Sequence, residues 1–319
     1  MIYMTLFLFS LALTYLVKNY AIKKSLVDIP NDRSSHTVAT PHGGGIAIAT
    51  TWFMGISYLY YVNEINSALY FALLAGSGIS IVSYLDDLYE LSARVRLVTQ
   101  TFIAILGLYF LGGLERIDFI LFSIENQIFT NIFAFLMIIW FINLYNFLDG
   151  IDGYAGSEAV FLGLSGFILF EGSHFLILAA AVLGFLVWNW HTAKIFMGDV
   201  GSTLLGYNIA IFAIYYSNEI AIDLWVWIVL FGLFWFDATL TLYRRYRNGE
   251  KLSQAHKKHA YQRLVQSGWS HSSVVVFAIF ANVVLFGCVY LISNALAALC
   301  MSIVFLYAVV RFVDSKKSF

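Results

Sequence analysis

The sequence predicts an all-α integral membrane protein that crosses the bilayer about eleven times. Of its 319 residues, 61% are hydrophobic and only 12% are charged, whereas soluble domains carry about 25% charged residues. The apolar residues fall into eleven stretches, near the ~20 residues that a membrane-spanning helix needs. This composition excludes a secreted disulfide scaffold, a disordered chain and a basic nucleic-acid-binding domain, so no nucleic-acid partner is expected.

The predicted spans follow one another with only short loops between them. They cover residues 1–17, 43–62, 68–85, 97–114, 128–146, 155–170, 174–190, 202–217, 222–243, 273–292 and 295–312. With these loops they make residues 1–319 a single membrane domain, without an appended soluble domain. Cys288 and Cys300 lie in apolar stretches without metal-ligand spacing, which is typical of cysteines that act as small hydrophobic residues.

The basic residues orient the predicted helices. Lys18, Lys23 and Lys24 follow the first span, which predicts an N-terminus outside the cell and a cytoplasmic first loop. Alternation then gives a cytoplasmic C-terminus and cytoplasmic loops at 18–42, 86–96, 147–154, 191–201 and 244–272. In this arrangement 17 of the 18 Lys and Arg residues are cytoplasmic, and only Arg116 is outside.

Carboxylates gather where the predicted helices meet the cytoplasm. Asp86 and Asp87 end the third span, where negative charge opposes the helix dipole and costs stability. Adjacent carboxylates can bind Mg²⁺ or accept a proton, which explains the pair better than a solvated helix end does. In the fifth span, a spacing of three places Asn143, Asn146 and Asp149 on one face of the helix.

Two Asp-Gly steps, at Asp149 and Asp152, follow that polar face. They predict a turn with accessible backbone N–H groups. Amide and carboxylate side chains beside such a turn suit recognition of a base or a ribose. Hydrogen bonding between neighbouring helices is the alternative explanation, and the repeated Asp-Gly step makes it the weaker one.

A second polar segment opens the eighth span from the inside. It contains Asn189, Lys194, Phe196 and Asp199, with two glycines near its end. The free N–H groups of a helix N-terminus bind anions, and Asp199 can hold a metal ion that bridges phosphates. An ordinary helix cap would need Asp199 alone.

The long loop 244–272 carries two histidines among several cations. His256 and His259 are three residues apart and would share one face if this segment were helical. Histidines and cations together suit a phosphate. The alternative is a basic cytoplasmic loop with incidental histidines, and the loop sequence alone does not separate the two.

Glycine-rich helix starts recur on the predicted cytoplasmic side. Arg33 and His36 precede a glycine triplet that includes Gly44 and opens the second span. With the starts of the sixth and eighth spans, this gives three positive helix ends facing the cytoplasm.

The isolated histidines His174 and His271 show no functional pattern. Several helix N-termini, carboxylates and a basic loop on one face predict a site for a metal-bound polyphosphate.

In this order, the motifs resemble those of the polyprenyl-phosphate N-acetylaminosugar-1-phosphate transferases, glycosyltransferase family 4. The matching residues are Asp86-Asp87, then Asn143, Asn146, Asp149, Asp152 and Ala155, then Phe196, Asp199 and Ser202, and finally His256 and His259. The resemblance implies a multi-helix fold and Mg²⁺ dependence, with Mn²⁺ able to replace Mg²⁺. It also implies a UDP-N-acetylamino sugar as donor, undecaprenyl phosphate as acceptor, and contact with membrane lipids in the inner membrane. The active site would face the cytoplasm, and a homodimer would be compatible with this reading.

The resemblance also implies a role for each residue. Asp199 and Asp87 would bind the metal, and Asp86 and Asp87 would be the catalytic carboxylates that serve the lipid phosphate. The division of work between these two neighbours stays open. The nucleotide site would comprise Asn143, Asn146, Asp149, Asp152, Asn189 and Phe196. The diphosphate would contact His256, His259 and Lys194, and the lipid phosphate or sugar would contact Arg33, His36 and Gly44.

Within the family, the closest resemblance is to the enzymes that start O-antigen assembly. Glu90 stands where the peptidoglycan branch has a lysine, and His-Lys-Lys-His replaces its histidine-rich run. Both differences argue against a UDP-MurNAc-pentapeptide donor, which remains an alternative. A transporter of an anionic substrate is the second alternative. It should carry charges at mid-membrane on broken helices, whereas most acidic residues here lie at one membrane edge.

Overall fold

A computed structural model describes residues 1–30, 38–89, 91–118, 120–219, 224–252, 254 and 256–319, and these form an all-α fold. Thirteen helices are present in the described residues: α1 (Ile2–Lys23), α2 (Gly45–Tyr61), α3 (Ser67–Tyr89), α4 (Ala93–Leu111), α5 (Gln127–Leu148), α6 (Tyr154–Phe170), α7 (Ser173–Asn189), α8 (Asp199–Glu219), α9 (Leu224–Leu230), α10 (Gly232–Arg247), α11 (Ala260–Gln266), α12 (His271–Leu291) and α13 (Ala295–Lys316).

Two short antiparallel strand pairs join some of these helices. β1 (Val27–Asp28) pairs with β2 (Thr40–Pro41), and β3 (Ile117–Asp118) pairs with β4 (Ser123–Ile124). The first pair leads into α2. It also holds the segment before α8, because the Phe196 N–H donates to the Pro41 carbonyl at 2.8 Å.

Each predicted span coincides with one helix except the ninth, which is divided. α9 and α10 are bent by 79° at their junction. The break leaves carbonyls near the end of α9 without a helical hydrogen-bond partner. The indole N–H of Trp235 satisfies one of them, because it donates to the Ile228 carbonyl at 2.6 Å. This apolar run is therefore a bent pair of helices and not one continuous helix.

Among the described residues, six helices are long and apolar enough to cross a membrane, and the bent pair gives a seventh candidate. The six are α1, α3, α4, α5, α12 and α13. The apolar helices α6 and α7 have only 17 residues each, below the ~20 that usually cross a bilayer. The chain is therefore a multi-pass membrane protein, while the total of eleven spans and their orientation stay predictions.

α8 lies at the centre of the bundle. Every residue from 200 to 214 is buried, as expected for a helix enclosed by neighbours on all sides. Its neighbours include α2, α3 and α5, and the Tyr207 hydroxyl donates to the Ala72 carbonyl of α3 at 2.7 Å. The first residue of α8 is Asp199. The most enclosed helix therefore positions the carboxylate that the sequence selects as a metal ligand.

Candidate active site

Asp199 is held by the polar face of α5. The amide of Asn146 donates to Oδ1 of Asp199 at 2.8 Å and to the Ser202 hydroxyl at 3.0 Å. The Thr203 hydroxyl donates back to the Asp199 carbonyl at 2.6 Å. The structure thus brings together Asn146 and Asp199, which belong to two separate sequence motifs, at the end of α5 and at the start of α8.

The carboxylates that end α3 lie against the same helix start. A Cβ added to Gly198 would lie 3.3 Å from Oδ2 of Asp87, so the Asp87 carboxylate lies beside the segment that opens α8. Among the described residues, the buried Oδ2 of Asp87 has no hydrogen-bond donor. An orphaned carboxylate oxygen beside a second carboxylate fits a divalent cation, since Mg²⁺ prefers oxygen ligands and binds through one or two carboxylates. Asp87 and Asp199 are therefore the residues that could hold it.

Arg96, in the first turn of α4, lies between the two predicted carboxylate groups. Its guanidinium donates to Oδ2 of Asp86 at 3.0 Å and lies 3.8 Å from Oδ2 of Asp199. The sequence-based selection missed this arginine. The signal that could have found it is a basic residue in the helical turn that follows the Asp86-Asp87 pair.

A cavity of about 190 Å³ opens beside this cluster, between α3, α4, α5 and α8. Arg96, Asp199 and Asn143 line it, and Asn143 donates to Oε1 of Gln100 at 2.9 Å across the cavity wall. The apolar part of the lining comprises Ile79, Val82, Leu97 and Phe147. A cavity that joins a charged cluster to an apolar wall can receive a molecule with an anionic head and an apolar tail.

Asp149 caps the C-terminal end of α5. Burial, and next the charge of Asp199, raise the pKa of its carboxyl to about 7. The helix α11 approaches it from the long loop 244–272, because the Tyr261 hydroxyl donates to the Phe147 carbonyl at 3.2 Å. A Cβ on Gly150 would overlap that hydroxyl, so the Asp-Gly step gives α11 room to dock.

Asn189 and Asp152 link the loop after α5 to the segment between α7 and α8 through hydrogen bonds. The Asn189 side chain accepts from the Gly153 N–H and donates to the Ile195 carbonyl, both at 3.0 Å. Oδ2 of Asp152 lies 2.8 Å from Nδ1 of His191. Asn189 is therefore occupied by backbone groups, and its direct contact with a nucleotide stays a prediction.

Hydrogen bonding outweighs burial at Asp152. Burial alone would raise the pKa of this carboxyl, but hydrogen bonds from His271, His191 and the Ala193 N–H hold it below its ordinary value. Asp152 is therefore a carboxylate at neutral pH. His271, which showed no functional pattern in the sequence, reaches this group from the first turn of α12.

Phe196 and Gly44 meet where α2 and α8 begin. The Gly44 N–H donates to the Phe196 carbonyl at 2.9 Å, and the Gly45 N–H donates to the Met197 carbonyl at 2.8 Å. Gly44 is buried, and a Cβ there would overlap the Phe185 ring. The glycines thus allow two helix starts to approach closely, and a contact of Gly44 with lipid phosphate or sugar stays a prediction.

The predicted diphosphate-binding histidines differ in exposure. His259 is buried and precedes α11, and its backbone N–H donates to Oε1 of Gln262 at 3.2 Å. His256 is half-buried, and its Nδ1 accepts from the Lys258 N–H at 3.2 Å. Burial, followed by the neighbouring His259 and Arg245, lowers the pKa of His256 to about 4. At neutral pH His256 is therefore uncharged and can offer a ligand a hydrogen bond but no positive charge.

Buried ion pairs hold the loop that carries these histidines. The guanidinium of Arg245, 2% exposed, donates to Glu250 at 3.1 Å and to backbone carbonyls of the loop. Arg263 donates to Asp314 of α13 at 2.7 Å. Asp237 accepts from the Ala260 N–H through both oxygens at 2.8 Å. The loop 244–272 therefore contains a short helix, α11, which begins just after the two histidines.

The remaining predicted contacts are placed as follows. Lys194 lies in the exposed segment between α7 and α8. Arg33, His36 and Glu90 lie outside the described residues. Across the described residues, the structure brings Asp86, Asp87, Asn146 and Asp199 to one place, with Asn143 and Asp149 on the adjoining face of α5.

Comparison with known proteins identifies similar sequences over most of the chain. Residues 69–217 match the model of Glycosyl transferase family 4. The chain is 33% identical over 285 residues to a probable undecaprenyl-phosphate N-acetylglucosaminyl 1-phosphate transferase of Bacillus subtilis, covering 84% of this chain and 78% of that protein. It is 27% identical over 305 residues to the undecaprenyl-phosphate alpha-N-acetylglucosaminyl 1-phosphate transferase of Yersinia pestis, covering 88% and 80%. The Thermotoga maritima protein of that name is 26% identical over 309 residues, which are 95% of each chain.

Proposed function

Because the chain belongs to glycosyl transferase family 4, we propose that it transfers N-acetylglucosamine 1-phosphate from UDP-N-acetylglucosamine to undecaprenyl phosphate. The products are undecaprenyl-diphosphate-N-acetylglucosamine and UMP. The relatives' names supply the donor sugar and the lipid acceptor. The product would start a lipid-linked surface polysaccharide, of which O-antigen is one kind, and the enzyme would act at the cytoplasmic face of the inner membrane.

One observation carries this proposal: two carboxylates from different helices meet at a helix N-terminus beside an amphipathic cavity. Asp87 and Asp199 supply the oxygens that Mg²⁺ prefers. The apolar wall suits the first units of a polyprenyl chain, and Arg96 at the polar end suits its phosphate. A soluble phosphotransferase would have no need for the apolar wall.

The proposed reaction forms and breaks one bond at phosphorus. An oxygen of the lipid phosphate attacks the phosphorus that bears the sugar, and the bond from that phosphorus to the bridging oxygen breaks. UMP leaves with the bridging oxygen and its electron pair. Since the second pKa of a phosphomonoester is ~6, the nucleophile is already ionised at neutral pH and a general base has little to do.

The main task of the residues is then to bring two anions together. A bound Mg²⁺ would supply positive charge to the diphosphate. Arg96 offsets the charge of the acceptor phosphate, and the positive end of the α8 helix dipole attracts the donor phosphates. Asn146 keeps the Asp199 carboxylate in place through its 2.8 Å hydrogen bond. The nucleotide binds at the loops that Asp152 and Asn189 link through hydrogen bonds.

The direct test uses purified protein, radiolabelled UDP-sugars and undecaprenyl phosphate. We expect label from UDP-GlcNAc to enter butanol-extractable lipid, and less or none from UDP-GalNAc, UDP-FucNAc or UDP-QuiNAc. Better use of another sugar would change the assigned donor. No lipid labelling with any of these UDP-sugars would contradict the proposed reaction. It would favour the two alternatives, a transporter or a transferase that uses a UDP-MurNAc-pentapeptide donor.

Two substitutions test the carboxylates. We expect Asp199→Asn and Asp87→Asn each to abolish turnover, because a neutral amide removes the charge that holds the cation. Mg²⁺ titration of the wild type and both variants measures the effect, and chelation of the wild type should reproduce it. Appreciable turnover in either purified variant would contradict the metal-binding assignment.

A further measurement separates direct attack from a covalent aspartyl-phosphate intermediate. Isotope exchange between UMP and UDP-GlcNAc in the absence of lipid requires such an intermediate. We expect no exchange, because the acceptor is already ionised. Exchange at a rate similar to turnover would favour a covalent route through Asp86 or Asp87.

A further inference from the structure

Three separate parts of the chain meet at the Asp152 carboxylate. Its Oδ2 lies 2.8 Å from Nδ1 of His191, in the segment after α7, and 3.3 Å from Nδ1 of His271, in α12. The Ala193 N–H donates to the same oxygen at 3.2 Å. The Asp152 backbone N–H donates to Nδ1 of His271 at 3.4 Å, so this histidine contacts both the side chain and the main chain of Asp152.

His191, His271 and the Ala193 N–H all lie within 3.3 Å of the same oxygen, Oδ2 of Asp152. No hydrogen bond to Oδ1 of Asp152 is found among the described residues, so this oxygen can accept one from a ligand. Asp152 and His271 are buried, whereas the His191 side chain is 37% exposed. The arrangement has a buried histidine behind the carboxylate and an accessible one beside it.

Hydrogen bonds beside Asp152 connect its loop to the segment that leads into α8. Asn189 links the Gly153 N–H to the Ile195 carbonyl. One residue beyond Ile195 is Phe196, whose N–H donates to the Pro41 carbonyl. A shift of Asp152 would therefore be transmitted to the segment that precedes the Asp199 helix.

We propose that His191 and His271 are positioning residues, which fix the Asp152 carboxylate so that the loops around it are formed before the donor nucleotide binds. This inference rests on the proposed function, in which these loops receive the nucleotide. The histidines act through Asp152 and take no part in bond making. Their loss should weaken binding of the donor and leave binding of the lipid unchanged.

The same three side chains could instead hold a transition-metal ion, since two histidines and a carboxylate are a common ligand set. Their ligand atoms lie within 4.8 Å of one another. The 2.8 Å separation at His191, however, matches a direct hydrogen bond, Nδ1 of His271 accepts from the Asp152 N–H, and the Ala193 N–H already donates to Oδ2 of Asp152. These contacts engage the ligand atoms in hydrogen bonds, and metal binding is an outcome that the test can detect.

The test compares asparagine with leucine at each histidine. An asparagine amide offers both a donor and an acceptor near the position of Nδ1, whereas leucine offers neither. We expect His271→Leu and His191→Leu to raise the KM for UDP-GlcNAc and the calorimetric Kd for UMP about tenfold, the range for losing a hydrogen bond to a charged group. The kcat and the KM for undecaprenyl phosphate should stay within about twofold. The asparagine variants should recover most of the lost affinity.

A matched control is His174→Asn, which changes a buried histidine that contacts Tyr216 at 3.1 Å in another part of the bundle. It should leave the Kd for UMP unchanged. Should His271→Leu fail to fold, the exposed His191 still permits the comparison. Unchanged UMP affinity in the folded leucine variants would overturn the proposal, as would stoichiometric zinc in the wild type that these variants lose. UMP binding is measured without lipid, so absence of transfer by the wild type would contradict the proposed function alone.

Discussion

Arg96 links the two carboxylate groups of the candidate active site. Its guanidinium is 3.0 Å from Asp86 and 3.8 Å from Asp199, and it lines the cavity that has an apolar wall. If a cation neutralised Asp199, Arg96 would keep its hydrogen bond to Asp86 and could direct its remaining N–H groups to a phosphate. Arginine suits this task because its planar group can donate two parallel hydrogen bonds to phosphate oxygens.

We therefore expect Arg96→Gln to reduce kcat/KM for undecaprenyl phosphate at least about tenfold, since a hydrogen bond to a charged group contributes ~1.5–3 kcal/mol. Arg96→Lys should retain part of the activity, because it keeps the charge and loses the paired donors. Initial rates at saturating UDP-GlcNAc measure the effect. Arg94→Gln changes an exposed arginine in the same helical turn and should alter the rate little. Equal losses at both positions would mean that Arg96 acts only through the general positive charge of this region.

Contacts that stay within one helix face could be predicted from sequence, and contacts between distant segments could not. The spacing of three placed Asn143, Asn146 and Asp149 on one face, and this face does meet Asp199. Arg96 and His271 were missed because their partners come from other elements. No local pattern marks such a residue, since its importance arises only when the helices pack.

At the scale of elements, the active site depends on how closely α2 and α8 cross. A Cβ on Gly45 would overlap the Gly201 backbone nitrogen, and a Cβ on Gly201 would lie 2.9 Å from the Gly45 α-carbon. Small residues at such a crossing allow two membrane helices to approach. The same crossing fixes the start of α8 and with it Asp199.

Gly45→Ala should therefore lower both stability and activity. Overpacking a close contact costs ~1–3 kcal/mol, and moving α2 away would shift Asp199 relative to Asp87. Thermal unfolding in detergent and turnover of the same sample measure the two effects. Gly287→Ala is the matched control, because its Cβ would meet nothing within 4 Å and alanine favours a helix. A Gly45→Ala protein as stable and active as Gly287→Ala would refute this role of the crossing.

Hydropathy predicted the helices but not their interruptions. Each apolar stretch became helical because backbone groups in a bilayer need partners within their own segment. The break between α9 and α10 could not be predicted from this rule, since the Trp235 indole supplies a missing partner from its side chain. α11 was missed for a related reason: its start is stabilised by Asp237, which lies 23 residues away in α10.

At the scale of the whole molecule, polar contacts collect at the two ends of the bundle. The loops predicted to be cytoplasmic meet through Phe196, Asn189 and Tyr261. Segments predicted to be outside meet at other contacts, such as Asn66 with Tyr215 at 2.7 Å and the Glu115 N–H with Asn218 at 3.1 Å. The alternation of the sequence-based topology, and with it the orientation of the termini, stays a prediction.

The charge distribution predicts which end faces the cytoplasm. The end with the candidate active site carries the predicted cytoplasmic loops, which together with the C-terminal tail hold 17 of the 18 Lys and Arg residues, and basic loops are retained inside during insertion. Single-cysteine variants in a background with Cys288→Ala and Cys300→Ala test this orientation. In spheroplasts, a membrane-impermeant maleimide should label Glu125→Cys, whereas Lys251→Cys should react only after permeabilisation. Both positions are exposed, so a difference in labelling reports the side of the membrane, and retained transferase activity checks the fold. The opposite pattern would place the carboxylates on the outer side, away from the cytoplasmic UDP-sugar, and would contradict both the topology and the proposed reaction.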